Sequence, residues 1–203
     1  MSKIKDNSGV LIQGHIKIHD PESDKVFVDK RNAIHYENMS VALAESIANQ
    51  GQGFINSMSF GNGGTSVDPT GIITYLTPNS TGTNATLYNQ TYTKIVDDRS
   101  VSNLDPQRNK IETRHINGTN YTDDIVTCLL DYGEPNGQDA VDTASASESL
   151  YVFDELGLVS YSPSGTGKLL THVIFHPVQK SLNRLIQIDY TVRVQSLTGF
   201  NEG

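Results

Sequence analysis

Two histidines four residues apart, His172 and His176, stand in and just after the apolar run Leu169-Leu170-Thr171-His172-Val173-Ile174-Phe175. On a strand, residues of equal parity share a face, so the two imidazoles would lie on one side of a sheet and could begin a metal site. A third ligand would have to come from elsewhere, such as His115 or Asp189, and no spacing brings either there. The plainer reading is a row of half-exposed strand histidines, and the expectation is no bound metal and no cofactor. The acidic doublets Asp97-Asp98, Asp123-Asp124 and Asp154-Glu155 are the other groups suited to acid–base or calcium chemistry. Adjacent strand residues point to opposite faces, so a doublet is not expected to converge on one atom. None of the three sits in a calcium loop, with alternating ligands around a Gly and a closing Glu.

Ser164-Gly165-Thr166-Gly167-Lys168 offers the glycine amides and the lysine of a phosphate-binding loop, but Ser162 and Leu169 stand where that loop needs Gly and Ser or Thr. An apolar strand follows where a helix would have to hold the anion, so the segment reads as a β-hairpin turn. Cys128, the single cysteine, lies in Ile125-Val126-Thr127-Cys128-Leu129-Leu130, which marks it as a small core hydrophobe with a raised pKa. There is no Gly-x-Ser-x-Gly elbow. No residue is assigned a catalytic role.

The elements that would position these groups are mostly strands. Val10, Ile12, Ile16 and Ile18 alternate with Leu11, Gln13, His15 and Lys17, and after the turn Asp20 to Asp24 the run Val26-Phe27-Val28 completes a hairpin. One helix is expected from about Ala33 to Asn49, capped by Asn32, ended by Gly51, with Tyr36, Met39, Leu43 and Ile47 as its apolar stripe. Further strands are expected at Phe54 to Phe60, Ile72 to Leu76, Tyr92 to Val96, Lys110 to Ile116, Asp124 to Tyr132, Tyr151 to Phe153, Leu169 to Pro177 and Leu185 to Val194. This predicts a mostly β chain, an antiparallel β-sandwich with one flanking α-helix, in a single domain spanning residues 1–203. Gly61, Gly63 and Gly64 after one strand, and Gly157 within Glu155-Leu156-Gly157-Leu158, are read as structural turns or kinks where positive φ or a close backbone approach demands glycine.

Residues 77–90 and 133–149 are long segments poor in large apolar groups. They are expected to gain order from neighbouring subunits, through Asn84, Leu87, Tyr88, Asn136 and Gln138. With 15 basic and 23 acidic residues the net charge is −8, and the basic groups Lys25 to Arg31 and Lys180 to Arg184 read as solvated strand ends, so no nucleic-acid partner is expected. No apolar run approaches the length that spans a bilayer, and Met1 to Asn7 lacks the pattern of an export signal, so neither membrane insertion nor export is expected.

In order, Asn32-Ala33-Ile34 entering a helix, Phe60-Gly61-Asn62-Gly63-Gly64, Glu155-Leu156-Gly157-Leu158, Gly167 to Phe175 and the closing strand Leu185 to Val194 resemble a group of tailed-bacteriophage virion proteins. A "Pv.K" turn between the last two strands is matched by Pro177-Val178-Gln179-Lys180. The resemblance spans about residues 8 to 195. It implies a β-sandwich that works, without enzymatic activity, in multiple copies on the tail side of the particle, at the neck, collar or baseplate. Its partners would be copies of itself and other virion proteins, and its location the virion, assembled in the host cytoplasm. A capsid decoration protein is the alternative within that class. A carbohydrate-binding module using Tyr88, Tyr92, Tyr121 and Tyr132 is the alternative outside it.

Overall fold

A computed structural model of the chain describes residues 9–135 and 150–197. The elements run β1 (Gly9–His19), β2 (Val26–Arg31), β3 (Ala33–Ile34), α1 (Tyr36–Ile47), β4 (Ile55–Gly61), β5 (Thr65–Val67), β6 (Ile73–Tyr75), β7 (Gln90–Ile95), β8 (Lys110–His115), β9 (Tyr121–Leu130), β10 (Leu150–Ser160), β11 (Thr171–Ser181) and β12 (Ile186–Leu197). Two five-stranded antiparallel sheets result, in the orders β2-β1-β12-β9-β8 and β3-β11-β10-β4-β7, with β5-β6 as a separate hairpin. The fold is an antiparallel β-sandwich flanked by one helix.

Period-two patterning builds the first sheet. Ile16 and Ile18 of β1, Val126, Cys128 and Leu130 of β9, and Ile186, Ile188, Tyr190 and Val192 of β12 all point inward and are buried. The second sheet answers with Met58, Phe60, Phe153, Leu156, Leu158, Val173, Phe175 and Val178. Phe60, Phe153 and Phe175 meet edge to face, at ring separations of 5.4 and 5.8 Å. The inward residues change parity between Phe153 and Leu156, and again between Phe175 and Val178. A bulge absorbs the change: Phe153 pairs with Val178 and Glu155 with Ile174, leaving Asp154 alone opposite the stretch from Phe175 to Pro177.

The helix begins later than its pattern suggests, because Ala33 and Ile34 pair with His172 and Thr171 as an edge strand. His35, not Asn32, is the cap, and its Nδ1 accepts the Asn38 amide at 3.2 Å. Asn32 instead bridges the Ala33 carbonyl and the Tyr190 hydroxyl. Met39 and Ala42 enter the core and Leu43 packs against it, whereas Tyr36 and Ile47, at 70% and 86% exposure, fall off the buried stripe. Pro177 to Lys180 is not a turn but the body of β11. The reversal lies at Leu182–Arg184, and Lys180 is buried, its Nζ donating to the carbonyls of Asp131 and Ser181 at 2.9 Å each. Burial pushes that ammonium down to about 8.

Candidate functional site

The strand β10 runs unbroken through Glu155-Leu156-Gly157-Leu158, longer than its apolar pattern suggests, and the bulge at its middle turns two successive carboxylates to one purpose. Both serve the excursion 62–90 that carries β5 and β6 over the outer face of the second sheet. Asp154 accepts the Gly64 and Thr65 amides at 2.9 Å each, together with the Thr65 hydroxyl. Glu155 Oε1 accepts the Asn89 amide at 2.8 Å and the Gly63 amide at 3.1 Å. Glu155 Oε2 accepts the Tyr88 amide at 3.0 Å and lies 2.9 Å from His172 Nε2. The two carboxylates share a face, against the expectation from strict alternation, because the register shift between Phe153 and Glu155 interrupts it; as expected, they accept different donors and converge on no common atom.

His172 closes the cluster. Its Nδ1 lies 2.8 Å from the Asn79 amide, which is a donor only, so Nδ1 must accept. The ring proton consequently sits on Nε2, donated to Glu155, and the pair is a neutral imidazole against a carboxylate. Glu155 and His172 are both fully buried. Burial alone would raise the Glu155 carboxyl, but His172 and the amides of Asn89, Tyr88 and Gly63 outweigh it and hold the group below the ordinary carboxylate value. At Asp154 burial prevails over Thr65 and the Gly64 amide, and that carboxyl is raised. Neighbouring acids are thus driven in opposite directions. Glu155 accepts four donors and both nitrogens of His172 are engaged, so the cluster clamps the backbone of the excursion to side chains of β10 and β11.

The glycines expected in turns act here by closeness. None of Gly61, Gly63, Gly64 and Gly157 has φ in the left-handed region, which corrects that part of the reading. A Cβ at Gly61 would stand 2.4 Å from the Asn89 carbonyl oxygen, one at Gly63 2.7 Å from the Asn89 nitrogen, and one at Gly157 2.4 Å from the Thr171 carbonyl oxygen. Gly64 lies against Ile174 and Glu155. The turn at Ser162 to Lys168 is the expected hairpin connection, with Gly165 at φ +83° and its amide on the Ser162 carbonyl.

His176 turns to the same excursion as His172 but is exposed, 3.3 Å from the Tyr75 hydroxyl. His115 and Asp189 belong to the other sheet, where His115 meets the Tyr121 carbonyl and the Thr122 hydroxyl and Asp189 meets His19 at 2.9 Å. Among the described residues no group of three or more His, Cys, Asp or Glu is placed to hold a metal ion. Cys128 is fully buried and its thiol is pushed up to about 12, chiefly by burial. Tyr92 packs against Phe60 in the core, Tyr121 lies under the Arg193 guanidinium, Tyr132 donates to Glu22, and Tyr88 tilts against His172. The four tyrosines form no common platform.

The segment 77–90 is tied to the rest of the chain through Asn79 on His172, the Gly82 amide on Glu37 at 2.7 Å and buried Leu87, and to itself through the Tyr88 hydroxyl on the Thr77 carbonyl at 2.7 Å. Within the chain the segment thus has both polar partners and one buried apolar anchor. Asn84 and Tyr88 remain exposed; Asn136 and Gln138 lie outside the described residues. Elsewhere a cleft of about 440 Å³ opens between the sheets beneath α1, lined by Met39, Leu43, Phe54, Ile111 and Val194 among others. Among the described residues no helix is long and apolar enough to cross a membrane. The chain is thus a two-sheet sandwich whose buried polar cluster fastens a long excursion to one face. It matches no protein-family model, no curated protein and no solved structure.

Proposed function

We propose that this chain is a non-enzymatic structural protein of a tailed-phage virion, present in multiple copies on the tail side, at the neck, collar or baseplate. One observation carries the reading. The separated motifs behind the resemblance, Phe60 to Gly64, Glu155 to Leu158 and the strand through His172, come together in the single clamp around Glu155. A likeness built on residues that hold a fold, with their polar atoms engaged by other parts of the chain, is a likeness of architecture and not of chemistry. Partners would be further copies and other virion proteins, met through exposed loop residues such as Asn84 and Tyr88. Neither nucleic acid nor membrane is proposed as a partner. A capsid decoration protein is the rival position in the particle.

The test is localisation of the chain in an electron-microscopy density map of the intact particle, combined with mass spectrometry of purified virions. Ordered copies around the tail axis are the expected result. Copies on the capsid faces would move the assignment to decoration, and absence from purified virions would overturn the proposal.

A further inference from the structure

We infer that the free edge of β1, residues Gly9 to Gln13, pairs antiparallel with the same edge of a second copy, joining two sandwiches through one continuous sheet. The inference rests on the multi-copy reading and names the surface it would use. Strand β1 pairs with β12 along its whole length, from Gly9 opposite Leu197 to His19 opposite Gln187. Its other side is covered by β2 only from His15 onward. The Gly14 carbonyl accepts the Asn32 amide on that uncovered side, and there the edge closes. In an antiparallel strand both polar groups of a residue point to the same side and alternate along the chain, so Val10 and Ile12 share the side of Gly14. Among the described residues nothing meets their amides and carbonyls. Val10 is 62% exposed.

The occupant follows from charge and from register. A chain of net charge −8 repels its copies except where charge is missing. Gly9-Val10-Leu11-Ile12-Gln13 has no charged residue, and the adjoining groove of about 280 Å³ is lined by Val10, Leu11, Ile12, Ile34, Tyr36, Met39, Ser40 and Leu43, also uncharged. The other long edges are guarded: β2 by Asp29, Lys30 and Arg31, β8 by Lys110, Glu112 and Arg114, β7 by Lys94. The described part of the open edge, Gly9 to Gln13, is centred on Leu11. About a two-fold axis there, Val10 of each copy faces Ile12 of the other and exchanges both backbone hydrogen bonds, an isologous contact. The arriving strand is already held extended by its own β12, so pairing costs it little ordering. Its Val10 and Ile12 side chains fall on the groove side.

Two variants test this without touching the β12 ladder. Val10→Pro removes an amide that faces away from β12, a position an edge strand tolerates. Leu11→Glu places like charges opposite each other at the two-fold axis. Sedimentation of the full chain over roughly two decades of concentration, where mass action must appear, should show twice the mass of the 22.2 kDa chain for the parent. Both variants should sediment as single chains that still unfold cooperatively, with a melting temperature that no longer depends on protein concentration as the parent's does, and hydrogen exchange at Val10 and Ile12 should be slow in the parent and fast in Leu11→Glu. Association that survives both variants would overturn this edge while leaving the multi-copy reading standing. A parent that stays a single chain throughout would overturn the edge and also remove a support of that reading.

Discussion

Replacing Glu155 by Gln should loosen the excursion 62–90 and destabilise the protein by about 3–6 kcal/mol. The side chain keeps its shape, but one carboxylate oxygen becomes an NH2 group. If the remaining oxygen stays with Gly63 and Asn89, the new amide faces two donors, the Tyr88 amide and His172 Nε2, which now lie 3.0 and 2.9 Å from Oε2. A change of tautomer at His172 would repair one contact only to set a proton against the Asn79 amide, at 2.8 Å from Nδ1. Two buried bonds are lost either way; with the tautomer kept both are bonds to a charged acceptor, at about 1.5–3 kcal/mol each. Against a total stability of about 5–15 kcal/mol this is large, and local opening should relieve part of it. Urea unfolding gives the total, and hydrogen exchange at Asn79, Tyr88 and Asn89 shows where the opening occurs. A cycle with His172→Ala should be strongly non-additive, because both changes remove the same bond. A loss below about 1 kcal/mol with those amides still protected would refute the clamp, since an unmade buried bond must cost more.

Acid should reproduce this loss in the parent: the Glu155 carboxyl lies below its ordinary 4.5 when folded, so its contribution is complete above 4.5 and disappears as pH falls through the folded value. Asp154 runs the other way in parent and Glu155→Gln alike, its raised pKa making the folded state gain as that group takes up a proton; because only the parent has the Glu155 contribution to lose, the two unfolding curves should converge as pH falls through the acid range. Gly157→Ala should cost roughly 1–3 kcal/mol by pressing on the Thr171 carbonyl and Leu169, whereas Gly165→Ala, in open space at φ +83°, should cost only about 1 kcal/mol of backbone strain; chemical melts distinguish them. Lys180, lowered to about 8 from 10.5, should make stability rise between those pH values, a slope that Lys180→Met abolishes. Cys128 should resist iodoacetamide until the chain unfolds, and alkylation under native conditions would show the core to be open.

Period and composition alone determined that the chain is a β-sandwich with one helix. Alternation in β1, β9 and β12 is a local property of consecutive side chains, and so is the turn chemistry of Ser164 to Gly167 or the apolar company of Cys128. The clamp was not legible in this way. It depends on a parity change shared by β10 and β11, and the sequence around Asp154-Glu155 gives no sign of which strand will lie opposite. Ala33 and Ile34 look helical until Thr171 and His172 arrive to pair with them, and Lys180 looks solvated until Asp131 and Ser181 offer it carbonyls. The tertiary structure decided these because each rests on a partner distant in sequence, some 90 residues away for Gly64 and Asp154. A buried polar group goes where its donors are, and only the folded chain assembles them.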